Sequence, residues 1–354
     1  MILAFPAWRR GFFKATGGPI TEALRRGHEV WLVHRHDDKP GEAVTREELE
    51  AIWPTARIGM PIRADALLGP SLATLDGPRP DTRKAYNLDL AWETISAMRS
   101  PHMTMCWASQ YQAQLWALSV NKSHLQYLCD LWMRIVDQSP IGHIVGSPMI
   151  DAFGNQVHAD ADARPIVVLM ALKFPRDSGL WRRTWYRWIG YRALVAAIRR
   201  FCDRSGAELV IKTREKNRDP GWLARYADRV VTDAGMLWPY AAAQIVRDAA
   251  LVIHFQSGAA LEAAFASVPQ LSIHIPHPHL AQYPGHAEVY AGSPGMQDWP
   301  GVVTGRPWQT AVEYLDSLTS LPTVDPSARA AYVDRFLGFD DCKVSHRILE
   351  LVEA

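Results

Sequence analysis

The second half of the chain alternates short apolar runs with longer stretches of helical spacing, and this rhythm restricts the fold more than any other feature. PIVVLMAL from Pro165, ELVIKT from Glu208, RVVTD from Arg229, LVIHF from Leu251 and QLSIHI from Gln270 read as strands. Between them lie a helical stretch at 186–204, a turn at Asp219-Pro220-Gly221, a helix at 239–247 and the helix GAALEAAFAS from Gly258. Brief apolar strands divided by helices are the pattern of a parallel sheet covered on both faces, so the class is α/β.

The opening repeats the theme. MILAF reads as a strand, Gly17-Gly18 as a loop, PITEALRRGHE as a helix and EVWLVH (29–34) as the next strand, which together make a βαβ unit. Residues 37–90 are rich in Pro, Asp and Gly and predict irregular connections with one or two helices. From His143, HIVGSPMID reads as a strand entering a turn, and the polar stretch that follows places a domain boundary at 152–164. The tail from 325 reads as two helices. A chain of 354 residues exceeds what one core usually serves, so two domains are expected.

Composition narrows the function classes. A formal net charge of +1 supplies no global field for nucleic acid, and none is expected as a partner. Cys106, Cys129, Cys202 and Cys342 lie too far apart to suggest a disulfide framework or a zinc site. The amino-terminal run does not read as a secretory signal, and no window reaches the roughly 18 to 20 apolar residues that span a bilayer. The expected location is cytoplasmic, at the inner membrane surface if residues 181–192 make peripheral contact. That stretch combines arginines with Trp181, Trp185, Tyr186, Trp188 and Tyr191, as a membrane interface selects. A helix at a domain interface with solvated arginines reads equally well, since residues 194, 195, 198 and 201 are apolar at helical spacing.

The chemistry concentrates in LVIHFQSGAALEAAF. A strand ends, a small-residue turn follows, and a helix opens directly, so the amides of Ser257, Gly258 and Ala259 point from the helix start. Such amides, with the positive end of the helix dipole, suit a phosphate, and Gly258 removes the Cβ from its approach. Glu262 stands one turn further on, where a carboxylate can accept both hydroxyls of a ribose. A capping serine and a solvated surface acid are the other reading of the same residues.

This segment resembles the donor-site strand and helix of GT-B glycosyltransferases and the related UDP-N-acetylglucosamine 2-epimerases, through Ser257-Gly258, Glu262 and Ser267-Val268-Pro269. GGPITEALRRGHEVWLV from Gly17 is similar to the acceptor-side opening of that fold, and IVGSPMID at 144–151 to its Gly-Asn-Pro turn. The resemblance implies two Rossmann-like domains facing across a cleft: an acceptor domain at 1–155, a nucleotide-sugar donor domain at 165–324, and C-terminal helices at 325–354. It implies a metal-independent glycosyltransferase that moves a sugar from a nucleotide-activated donor to a hydroxyl of a glycan or glycolipid, in bacterial surface polysaccharide biosynthesis. The nucleotide sugar is then a co-substrate and no cofactor is required. Two departures stand out: Pro19 occupies the neighbourhood where many inverting members carry a His, and the strand ELVI ends in IKTREKN where the epimerases have His-Pro-Asn. The second speaks against epimerase chemistry. A 2-epimerase or hydrolase, and a non-catalytic glycan-assembly or binding protein, are the alternatives.

Lys212, Arg214 and Lys216 follow a strand end, where cations can neutralise a departing phosphate, although solvated loop charge explains them too. On the acceptor side Lys14 and Thr16 stand beside Gly17 and Gly18. His124 and Asp130 are candidates for the base that deprotonates the acceptor, each also readable as core or surface. His274, His277 and His279 are separated by prolines and read as a loop at the pocket edge rather than a metal site.

Overall fold

A computed structural model of the chain describes residues 1–34, 43–69, 82, 84–88, 114–119, 141–154, 164–172, 190–213, 221–233, 236–274 and 295–354. It divides into two compact units. The first comprises Met1–Asn155, Gly235–Tyr240 and Asp334–Ala354, and the second Gln156–Ala234 and Ala241–Val333.

The first unit carries seven parallel strands: β1 (Ile2–Pro6), β2 (Glu29–Val33), β3 (Arg57–Ile58), β4 (Ala66–Gly69), β5 (Lys84–Leu88), β6 (Gln114–Ser119) and β7 (Ile141–Ile144). Their order in the sheet is β3-β2-β1-β4-β5-β6-β7. Ile2 to Pro6 pair in register with Glu29 to Val33, and Leu3 and Ala4 pair with Ala66 and Leu67. The stretch 37–90, expected to hold irregular connections with one or two helices, has the helix α2 (Arg46–Ile52) and three strands that were not expected. Strands this short carry too little alternation to be recognised alone.

Helix α1 (Phe13–Arg25) follows β1 and corrects a second expectation, because Gly17, Gly18 and Pro19 lie inside it rather than in a loop before it. A glycine in a helix normally costs stability, and here packing accounts for it. A Cβ on Gly17 would stand 2.4 Å from the Trp238 ring, and one on Gly18 would stand 2.4 Å from Ser345 Oγ. Both neighbours come from distant parts of the chain that return to this unit. The second is the start of α8 (Val344–Glu353), whose first amides are capped by the Asp151 carboxylate, with Val344 N at 3.0 Å and Ser345 N at 2.6 Å. Asp151 itself lies within a stretch of 3-10 helix (Pro148–Phe153). The C-terminal helices thus do not form one body: α7 (Pro326–Phe336) lies mostly in the second unit, and α8 packs on α1 in the first.

The second unit holds six parallel strands, β8 (Ile166–Met170), β9 (Glu208–Lys212), β10 (Arg229–Val231), β11 (Ala249–His254), β12 (Gln270–His274) and β13 (Val303–Pro307), ordered β10-β9-β8-β11-β12-β13. The helices are α3 (Tyr191–Ser205), α4 (Ala241–Arg247), α5 (Ala259–Phe265) and α6 (Trp308–Ser317). Strands of this kind are buried on both faces, which is why IVVLM and LVI read as unbroken apolar runs. Leu194, Val195, Ile198 and Phe201 of α3 are buried against Val167, Leu169, Leu209 and Ile211, with Ala311 and Leu315 of α6 in the same core. The left-handed Gly206 (φ 68°) ends α3.

Replacing Gly17 with Ala tests the packing account. At an open helical site this change gains up to about 1 kcal/mol. Here the methyl overlaps Trp238, and the expected result is a loss of about 1–3 kcal/mol in urea unfolding. Unchanged or increased stability would contradict the close approach.

Candidate functional site

In a sheet ordered this way the connections diverge to opposite sides between β8 and β11, and ligands of open α/β sheets bind beyond the carboxyl ends of the strands at that point. Beyond β11 lie Phe255, Gln256, Ser257 and Gly258, with Gly258 as the N-cap of α5. Gln256 has φ 45°, in the left-handed region that a non-glycine residue seldom occupies. The turn is therefore held in place by its surroundings.

The holding groups are polar and largely buried. His254, the last residue of β11, is 0% exposed. Its Nε2 lies 3.2 Å from Gln270 Oε1, and Gln270 Nε2 donates to the Ala260 carbonyl at 3.0 Å. Since the Gln270 oxygen must accept, His254 Nε2 carries the proton, and Nδ1 is left to accept from Ser257 N at 3.4 Å. On the other side of the turn, Gln297 Nε2 donates to the Ser257 carbonyl at 3.2 Å. Ser272 Oγ donates to Gln297 Oε1 at 2.9 Å, and His274 Nε2 meets the Gln297 carbonyl at 3.1 Å. Burial holds the His254 imidazole neutral, with its pKa lowered to about 4 chiefly by desolvation, although the bond to Gln270 opposes this.

Of the expected donor-side residues, Ser257, Gly258, Ala259 and Glu262 all stand at this switch point. Their backbone groups are engaged in part by the protein: Ser257 N donates to His254 Nδ1 at 3.4 Å, Ala259 N faces Ser257 Oγ at 3.3 Å, and the Ser257 and Gly258 carbonyls accept from Ala260 N at 3.2 Å and Leu261 N at 3.0 Å. The Ser257 hydroxyl thus faces the first amide of α5, whose N-cap is Gly258. Glu262 is 1% exposed, which removes its reading as a solvated surface acid. Lys212 ends β9, but its ammonium is buried against Asp233 Oδ1 at 2.5 Å and donates to the Thr213 carbonyl at 2.7 Å. An adjacent carboxylate cancels much of the charge that a phosphate would feel. Arg214, Lys216, His277 and His279 lie outside the described residues.

On the acceptor side, Lys14 Nζ sits 4.9 Å above the Tyr240 ring, Thr16 bonds the Phe12 carbonyl, and Gly17 and Gly18 serve helix packing. His124 and Asp130 lie outside the described residues. So does most of 181–192, of which Arg192 stands over the Trp222 ring at 5.9 Å. Among the described residues no helix is long and apolar enough to cross a membrane.

The residues missed from sequence are His254, Gln270, Ser272 and Gln297. Their spacing forms no motif, and the only trace is a polar residue inside each of two apolar strands.

The sign of the His254 shift gives a pH dependence. A histidine whose folded pKa is depressed contributes fully above its unfolded value of 6.5, and that contribution is lost as pH falls from 6.5 toward 4. Between pH 7.5 and 5 the loss is about 2 kcal/mol. Urea unfolding at the two pH values should show a steeper decline for the wild type than for His254→Asn. Equal declines would mean that the imidazole is not buried in its neutral form.

No protein-family model matches the chain, and no curated protein matches it. Solved structures do. A putative UDP-N-acetylglucosamine 2-epimerase from Listeria monocytogenes superposes with a TM-score of 0.58 at 13% identity, covering 99% of this chain and 95% of the other. MnaA from S. aureus, solved with UDP, gives 0.56 at 13% identity over 99% and 95%. The glycosyltransferase SnogD from Streptomyces nogalater is less similar, at 0.48 and 13% identity over 99% of both chains. With two parallel-sheet α/β units in this strand order, the chain has the GT-B fold of the first two of these structures.

Proposed function

We propose that the protein is a nucleotide-sugar enzyme, and specifically a glycosyltransferase that moves a sugar from an activated donor to a hydroxyl of a glycan or glycolipid. The observation that carries the reading is the left-handed turn beyond β11, braced by buried polar side chains at the switch point, with the acidic Glu262 one turn into α5. Strain of this kind is kept where a backbone must meet a ligand. A structural neighbour solved with UDP supports a nucleotide as that ligand.

In the proposed reaction the acceptor oxygen attacks the anomeric carbon, the bond from that carbon to the phosphate oxygen breaks, and the nucleotide departs with the electron pair. The acceptor proton passes to a base, for which His124 and Asp130, outside the described residues, are the candidates. The leaving charge is met by the backbone of the turn and by Arg214, with no metal required. Lys212, already paired with Asp233, orients the strand end rather than serving as a bare cation.

A 2-epimerase is the second reading, favoured by the neighbours named as epimerases at TM-scores of 0.58 and 0.55. The strand end IKTREKN, in place of a His-Pro-Asn, favours transfer. Incubation with donor sugar alone separates the two, since an epimerase yields an isomer without an acceptor.

Thermal-shift titration with UDP, GDP, CDP, CMP and dTDP should raise the melting temperature with one base preferred. Glu262→Gln should weaken that nucleotide about 10- to 100-fold, the worth of a hydrogen bond to a charged group. Activity should survive EDTA. Failure of every nucleotide to bind the folded protein would overturn the reading.

A further inference from the structure

Gln297 lies outside every helix and strand, 40 residues from the turn in sequence, yet it reaches the main chain of that turn. Its side chain is oriented at both ends. The Ser272 hydroxyl, on a fully buried strand residue, donates to Oε1 at 2.9 Å, which obliges the amide nitrogen to face the other way. The nitrogen then donates to the Ser257 carbonyl at 3.2 Å. The Gln297 backbone is fixed separately, through its carbonyl to His274 Nε2 at 3.1 Å. Adjacent Asp298 closes the same corner by accepting from Gly305 N at 3.0 Å on β13.

Across the turn, His254 and Gln270 hold the Ser257 amide and the Ala260 carbonyl. Ser257 is therefore gripped at its carbonyl by Gln297, itself oriented by Ser272 of β12, and at its amide by His254 of β11. Between these grips Gln256 adopts its left-handed backbone. A glutamine here without a partner would gain freedom and release the turn to a commoner conformation.

We propose that Gln297, oriented by Ser272, is a positioning residue that presents the Gln256–Gly258 backbone to the nucleotide. It acts through Ser257 and does not itself need to touch the ligand. This rests on the reading of that turn as the nucleotide site.

The test uses the full chain with Gln297→Met, which keeps the length and removes the amide, together with Ser272→Ala and the double variant. Two measurements are made: affinity for the nucleotide that the wild type prefers, and amide hydrogen exchange of the peptide containing residues 255–258. The expected result is faster exchange in that peptide alone and affinity about tenfold weaker in Gln297→Met, the effect of one hydrogen bond. Ser272→Ala should share the defect, and the double variant should be no worse than Gln297→Met, because both changes break one chain of bonds. Additive losses, or a loss that follows global melting temperature, would reduce Gln297 to ordinary packing and overturn the proposal. Unaltered exchange at 255–258 would overturn it as well. If the wild type binds no nucleotide, the nucleotide reading and the presentation to it fall together. Whether slow exchange at 255–258 in the wild type is lost in Gln297→Met then still decides whether the brace exists.

Discussion

A parallel sheet covered on both faces leaves its strand ends as the place where backbone amides and carbonyls must find partners, and the second unit is organised around that requirement. Only part of the turn that follows strand β11 is satisfied by main chain, through Ala260 N to the Ser257 carbonyl and Leu261 N to the Gly258 carbonyl. Side chains from β11, β12 and the segment before β13 supply further bonds. Buried polar groups are costly unless fully partnered, so this set favours one geometry over the many available to a loop of small residues. The binding geometry inferred for the turn is a consequence of that bookkeeping.

The same requirement explains how much could be read in advance. Strands β8, β9, β11 and β12 are legible because burial on two faces demands unbroken apolar runs, and α3 because its buried residues recur at helical spacing. Strands β4 to β6 are not, since ALLG, KAYNL and QLWALS are short and two of them carry polar residues. Helix α2 did leave a local signal, the Thr45 and Glu48 capping box, within a stretch whose Pro and Gly content argued for irregularity. Gly17-Gly18 misled for a nonlocal reason: the glycines make room for Trp238 and Ser345, which no window around residue 17 contains.

The site was legible to a similar extent. Ser257, Gly258 and Glu262 form a local pattern that the sequence displays by itself. The groups that hold them, at 254, 270, 272 and 297, come together only once three strands are side by side. Lys212 shows the converse, a cation suited to phosphate in sequence and tied to Asp233 in space. A charge at a strand end indicates chemistry only when its neighbours leave that charge available.

The path of the chain carries a further consequence for how the protein is made. Residues Asp334–Ala354 return to the unit that Met1 began, and Asp151 caps the helix they contain. The sheet begun by the first strand thus gains its last covering helix only from residues made after the whole sequence of the second unit, and until then the α1 surface that receives α8 is uncovered.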